Sequence, residues 1–261
     1  MKKCLAIILF TVFIIGFIGA IDKIGEYQEA ERDYDFIVEK YVDKYVDKGT
    51  EVDAEVGEAA PEDDRIPQME LINFSELKKQ NSDFVAWISF PEEVGIDYPV
   101  VKGSDDYYLS HSFNKERNSN GCLMINSVNS DDFSDKHTII WGHNMKSRKM
   151  FGNLREYMDP EYATRNLYFW IYTEQRSLLY KIYSVHKVHL DSPAFWIDID
   201  DSARRLQFEN AVKDGNVLEY LKPDGKYDNI VTLATCTSSS DSRLLIHAEL
   251  IFMMEENHVT K

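Results

Sequence analysis

Between residues 68 and 256 the apolar positions fall into short runs rich in Val, Ile, Tyr and Phe, bounded by Gly, Pro, Asn, Asp or Ser. Such runs read as β-strands. Eight are present: Val85–Phe90, Asp97–Val101, Cys122–Asn126, His137–Trp141, Asn166–Thr173, Leu178–Val188, Asn229–Thr237 and Arg243–Met253. Eight strands with few helices between them predict a mainly β fold, an eight-stranded closed or nearly closed barrel, rather than alternating βαβ units. Two helical patterns stand out. Asn73-Phe74-Ser75-Glu76 has the form of a capping box and opens a short helix through Lys79. Ala203–Tyr220 has six strand-like runs before it and two after. Leu206, Phe208, Ala211 and Val212 supply its apolar positions, Ser202 its cap and Gly215 the end of its main part. Met145–Tyr157 reads as a loop with a short helix.

Ahead of the barrel the pattern is different. Tyr34, Ile37, Val38, Tyr41, Val42 and Tyr45 recur at three- and four-residue spacing and predict an amphipathic helix over Ala30–Lys48, stopped by Gly49. Its apolar face suits either a partner or its own domain, and the second is the expectation here. Thr50–Arg65 is acidic, poor in large apolar groups and contains Pro61, so it reads as a flexible linker. At the start, Met1-Lys2-Lys3 precedes an unbroken apolar run from Leu5 to Ile21. Seventeen helical residues span roughly 25 Å, the short limit for a bilayer core of about 30 Å. Lysines before the run and acids after it orient the N-terminus to the cytoplasm and the rest outside. The run is read as an uncleaved anchor; a cleaved signal peptide is the rival, and either one exports the domain. The expected organisation is therefore an anchor at 1–21, an acidic helical stalk and linker at 22–67, a β-barrel domain at 68–256 and a tail at 257–261.

Composition sharpens this picture. The net charge is −16, and Asp22–Arg65 alone holds sixteen acids against six bases. The longest basic cluster is Lys146-Ser147-Arg148-Lys149. A nucleic-acid partner, which needs a basic stripe, is excluded. Three cysteines, Cys4, Cys122 and Cys236, are too few for a disulfide framework or a zinc site. No HExxH or His/Cys cluster is present, so neither a metal nor another cofactor is expected.

The candidate chemistry starts at Cys236, which ends the run Ile230–Cys236. Strand alternation sets Thr232, Ala234 and Cys236 on one face, leaving space above small side chains. If the last two runs pair as a hairpin, Arg243 returns beside Cys236, where a guanidinium favours thiolate and can stabilise an oxyanion. A buried inert thiol is the other reading. A thiol nucleophile needs an acid/base partner, usually histidine. In a symmetric hairpin His247 falls near Thr232, about 13 Å along the strand from Arg243. His186 and His189 read as ordinary barrel residues, His111 and His258 sit in polar or terminal settings, and His137 begins a strand. His143 follows a strand and a glycine, a common station for catalytic groups, although a solvent-facing histidine would look the same.

At this point the residues carry a resemblance. Thr232-Leu233-Ala234-Thr235-Cys236 resembles the TLxTC signature of sortases, the membrane-anchored cysteine transpeptidases of Gram-positive surfaces. Trp141-Gly142-His143-Asn144 with Met150-Phe151-Gly152-Asn153-Leu154 is similar to their catalytic-histidine segment, and Arg243 matches the family arginine. Phe84–Ile88, Ile96–Val101 and the helix inserted before the cysteine strand are similar to class B members. The likeness covers about Asn73 to Met254. A short Cys–Arg loop and Ala234, where class B members often carry Ser, depart from the pattern and bear on substrate preference. An N-terminal Asp-Pro-aromatic lid, a class C trait, is absent from the sequence.

The resemblance implies Cys236 as nucleophile, His143 as general acid/base and Arg243 as stabiliser of substrate and oxyanion, with Asn144, Ala234 and Thr235 as candidate substrate contacts. The implied partners are secreted proteins bearing a C-terminal sorting motif, NPxTN-like, and an amine of a peptidoglycan cross-bridge or its lipid-linked precursor. The membrane is met through residues 5–21. Wall anchoring is the expected outcome. Pilin polymerisation, a cysteine hydrolase using the same pair, and a non-catalytic tethered binding module are the alternatives.

Overall fold

The computed structural model describes residues 31–44, 61–103, 106–218 and 228–255, with Phe17, Gly25 and Gln28 as isolated positions. The expected anchor apart from Phe17, the far end of the stalk helix with Gly49, most of the expected linker, Tyr220, and the C-terminal tail with His258 lie outside the described residues. Among the described residues no helix is long and apolar enough to cross a membrane.

Helix α1 occupies described residues 31–41. Tyr34, Ile37 and Tyr41 are buried in the main core, so its apolar face packs on its own domain. The helix stops earlier than its periodicity predicts. Val42–Lys44 forms strand β1, which pairs antiparallel with β2, Glu70–Ile72. The sheet hydrogen bonds from β2 override a pattern that local propensity alone would have continued. Of the segment read as a linker, residues 61–65 are tied down: the Arg65 guanidinium pairs with Asp63 and donates to the Thr164 carbonyl, and Tyr168 Oη donates to Asp63. Helix α2, Phe74–Gln80, begins as its capping box predicts, with the Asn73 side chain accepting from the Glu76 amide.

All eight expected strands form: β3 Phe84–Ser89, β4 Asp97–Lys102, β5 Leu123–Ile125, β6 His137–Trp141, β7 Tyr168–Thr173, β8 Arg176–His189, β9 Ile230–Cys236 and β10 Ser242–Glu255. They close a barrel in the order β10-β8-β7-β3-β4-β5-β6-β9, with β9 paired back onto β10. Most pairings are antiparallel; β4–β5 and β6–β9 are parallel, which requires long crossovers.

The strands read as nearly continuous apolar runs because both of their faces are covered. Alternation along β9 divides its residues between two cores. Val231 and Leu233 join the barrel interior, whereas Ile230 and Ala234 join an outer cluster with Phe208 and Val212. These last two belong to helix α4, Ser202–Lys213, after a short helix α3 at Pro160–Arg165. The α4 cap is Asp201, one residue before the expected Ser202: its carboxylate accepts from the amides of Ala203 and Arg204. Leu206, expected to face inward, is 57% exposed. The helix ends at Lys213, Gly215 turns at φ +66°, and the Asn216 side chain then bonds to the Val185 amide.

Candidate active site

Cys236 is the last residue of β9, and its neighbour across the sheet on β10 is Arg243. The hairpin is in the symmetric register, which also sets His247 opposite Thr232 and away from the cysteine. The intervening loop is short and bonded to itself. Thr237 Oγ1 lies 2.6 Å from Ser242 Oγ and accepts from the Ser239 amide at 3.1 Å. The Arg243 guanidinium donates to the carbonyls of Ser240 and Ser242, at 3.2 and 2.9 Å. Those bonds hold the positive group at the rim, close to its own backbone.

The parallel pair β6–β9 brings in the histidine. Trp141 is in register with Ala234. Two residues past that pair come His143, in the loop after β6, and Cys236, the last residue of β9, so the register directs both to the same end of the barrel. The pairing continues past the end of β6. The Gly142 amide donates to the Ala234 carbonyl, Thr235 Oγ1 donates to the Gly142 carbonyl, and Asn144 Nδ2 donates to the Cys236 carbonyl at 2.7 Å. Gly142 is required here, because a Cβ would collide with the side chains of Leu123 and Phe151.

The imidazole of His143 is half-buried, and its Nε2 lies 2.7 Å from the Leu109 carbonyl oxygen. A carbonyl only accepts, so Nε2 carries the proton in the neutral ring and Nδ1 is left with the free lone pair. Cys236, His143 and Arg243 line one cleft of about 380 Å³. Ala234 and Thr235 line it too, but both are buried, and the Thr235 hydroxyl is spent on Gly142. Asn144 is absent from the cleft wall; its amide holds the backbone of Cys236 instead. The outer wall is built on Trp141, whose ring stacks on Phe195. A larger groove, about 1110 Å³, lies between α1 and the barrel and contains none of the three groups.

Among the described residues, the other histidines and the other cysteine are differently placed. His137, His186 and His247 are buried beneath α4, where burial lowers all three pKa values, that of His137 to about 4. His111 is stacked on Tyr107 and His189 is bonded to Asp191. Cys122 is buried, and burial pushes its thiol up to about 12. Cys236, by contrast, is exposed. An accessible thiol that shares one cleft with a half-buried imidazole and a guanidinium has the parts for nucleophilic acyl transfer. The sequence had no signal for Leu109, because its contribution is a backbone carbonyl at the end of a single 3-10 turn, Tyr107–Leu109.

Comparison with known proteins identifies the family. The Sortase domain family model matches residues 92–251. Sortase B of Listeria monocytogenes serovar 1/2a is 31% identical over 181 residues, covering 67% of this chain and 73% of that protein. Among solved structures, Clostridium perfringens sortase B superposes with a TM-score of 0.60 at 28% identity, covering 68% of this chain and 98% of the other. The Staphylococcus aureus sortase B–substrate complex shares the fold, with a TM-score of 0.62 at 23% identity and coverage of 69% and 84%. A barrel of this strand order, a thiol and imidazole carried to one rim by β6 and β9, and a family match across that region lead to one conclusion: the chain belongs to the sortase family and is most like its class B members.

Proposed function

We propose that this protein is a class B-like sortase that cleaves a sorting motif, NPxTN-like, after Thr and joins the new carboxyl end to a cell-wall amine. Cys236, as thiolate, attacks the threonine carbonyl carbon. The C–N bond breaks, the departing amine takes a proton from His143, and a thioester remains on Cys236. The incoming amine attacks that thioester, gives a proton to His143 and expels the thiolate, restoring the enzyme. Nδ1 of His143 is the nitrogen free for this traffic, since Nε2 is committed to Leu109. Arg243 holds the substrate and the developing oxyanion. Residues 5–21 tether the enzyme with its barrel outside the cell, where exported proteins and a lipid-linked amine both arrive.

The observation that carries this reading is the pair of registers, Trp141 with Ala234 and Arg243 with Cys236, because together they bring His143 to the cleft of a Cys–Arg hairpin far from it in sequence. Incubation with a panel of fluorogenic sorting peptides tests it. Cys236→Ala and His143→Ala are expected to lose at least a thousandfold in kcat/KM, and Arg243→Ala about a hundredfold or more, the range for removing a nucleophile, an acid/base or an oxyanion donor. Full activity in either of the first two variants rejects the assignment. Added triglycine should appear in the product in preference to free acid; product that is all free acid would make the enzyme a hydrolase.

A further inference from the structure

Helix α1 lies outside the region matched by the family model, which begins at residue 92. It nevertheless reaches the candidate site. Tyr34 is 3% exposed, and its hydroxyl donates to the Gly121 carbonyl at 2.5 Å and accepts from the Phe113 amide at 3.3 Å. Both partners belong to the segment 106–122, the same segment whose Leu109 carbonyl receives the His143 Nε2 proton.

That segment has little sheet pairing of its own. It is a strap closed by a few local bonds, among them Cys122 amide to Tyr108 carbonyl and Asn118 amide to Ser110 carbonyl. At its end Gly121, with φ +62°, passes so close to the imidazole that a Cβ would lie 3.2 Å from His143 Cδ2. The Tyr34 hydroxyl therefore ties two points of a strap that both contacts the imidazole and orients it. The helix also holds the chain that follows the histidine and the neighbouring strand β4. Lys149, six residues after His143, pairs with Glu31 at 2.8 Å, and the Tyr34 ring meets Tyr98 edge-on at 5.5 Å.

We propose that Tyr34 is a positioning residue for His143: its hydroxyl holds the strap so that the Leu109 carbonyl fixes the imidazole tautomer and direction, making the stalk helix part of the working enzyme. The proposal rests on His143 being the acid/base of the reaction above. A loosened strap misdirects Nδ1, so the loss falls more on kcat than on KM, even though Asp106 and Leu109 of the strap also line the cleft. Misplacement on the scale of an ångström costs up to about a hundredfold, and a single missing tether is expected to cost on the order of tenfold.

The test compares full-length wild type, Tyr34→Phe and Ile37→Ala, measuring kcat, KM, the pH profile of kcat/KM and thermal unfolding. Tyr34→Phe removes one oxygen and keeps the ring packing. It is expected to lower kcat about tenfold, change KM by less than that and shift the limb of the pH profile that belongs to the histidine. Ile37→Ala, which loosens α1 and keeps the hydroxyl, is expected to lower the melting temperature with the profile unchanged. A Tyr34→Phe enzyme with wild-type kcat and pH profile overturns the proposal. So does an activity loss that only tracks the unfolded fraction, or an Ile37→Ala variant with the same pH shift. A fully active His143→Ala enzyme, in contrast, refutes the proposed function itself.

Discussion

Beneath helix α4 three imidazoles and one hydroxyl run in line. His137 Nδ1 meets the Trp196 carbonyl, His137 Nε2 meets Thr232 Oγ1, Thr232 Oγ1 meets His247 Nδ1, His247 Nε2 meets His186 Nε2, and His186 Nδ1 meets the Asp214 carbonyl. A carbonyl accepts at each end, so the five contacts need five protons, whereas three neutral imidazoles and a hydroxyl hold four. One captured proton would complete the chain. Burial opposes it: a hydrogen bond contributes about 1 kcal/mol net, and an unpaired buried charge costs several. Arg205 nearby adds to the opposition at His137, and the flanking Phe208 ring brings no compensating negative charge. All three imidazoles therefore stay neutral when folded, with pKa values below the ordinary 6.5. Once unfolded they titrate near 6.5. Below that pH the unfolded chain takes up protons that the folded chain refuses, so stability is full above about pH 7 and falls as the pH drops toward 4. His137 alone accounts for roughly 3 kcal/mol of this change. Thermal unfolding from pH 7.5 to 4.5 checks it; a flat melting temperature between 7.5 and 5 is the contrary result. At this scale motif spacing singled out Cys236, His143 and Arg243, the proposed catalytic groups, and all three line one cleft. Tyr34 was legible only as an apolar position, because its hydroxyl acts on a segment 79 and 87 residues away.

Among the elements, the strands were the most legible, since β-branched and aromatic runs broken by turn residues have few other stable conformations. Helix ends were less so. Ser202 and Asp201 are both good caps, and the choice between them depends on where the chain leaves the preceding loop. The Asp201 carboxylate serves two amides, so Asp201→Ala is expected to cost about 1 kcal/mol in urea unfolding. Ser202→Ala, at the first helical position, should cost clearly less, and the reverse order would show the cap to be misplaced. Helix α3 was passed over although Asp159-Pro160-Glu161 has a cap, a proline at the first turn and an acid. Six residues are too short to leave a periodic apolar pattern.

The whole molecule is a barrel whose closing pairs are far apart in sequence: β6 with β9, and β3 with β7. Such contacts demand loop closure before they reward it, so refolding is expected on the milliseconds-to-seconds scale or slower, never in microseconds. The four tryptophans offer a stopped-flow signal, and a dominant microsecond phase would contradict the expectation. Barrel closure also explains why both core faces are apolar and why α4 seals one side of β9 while Cys236 stays open at its end. Fold class, strand positions and the motifs that bring Cys236, His143 and Arg243 forward as candidates were legible in the sequence, because apolar periodicity, turn chemistry and short motifs are local properties. Strand order, the parallel pairing of β6 with β9, the early end of α1 and the tie between Tyr34 and the histidine strap were decided only in three dimensions. Each depends on which distant backbone groups find one another, and hydrogen-bond partners between strands leave almost no mark on the identity of the residues that carry them.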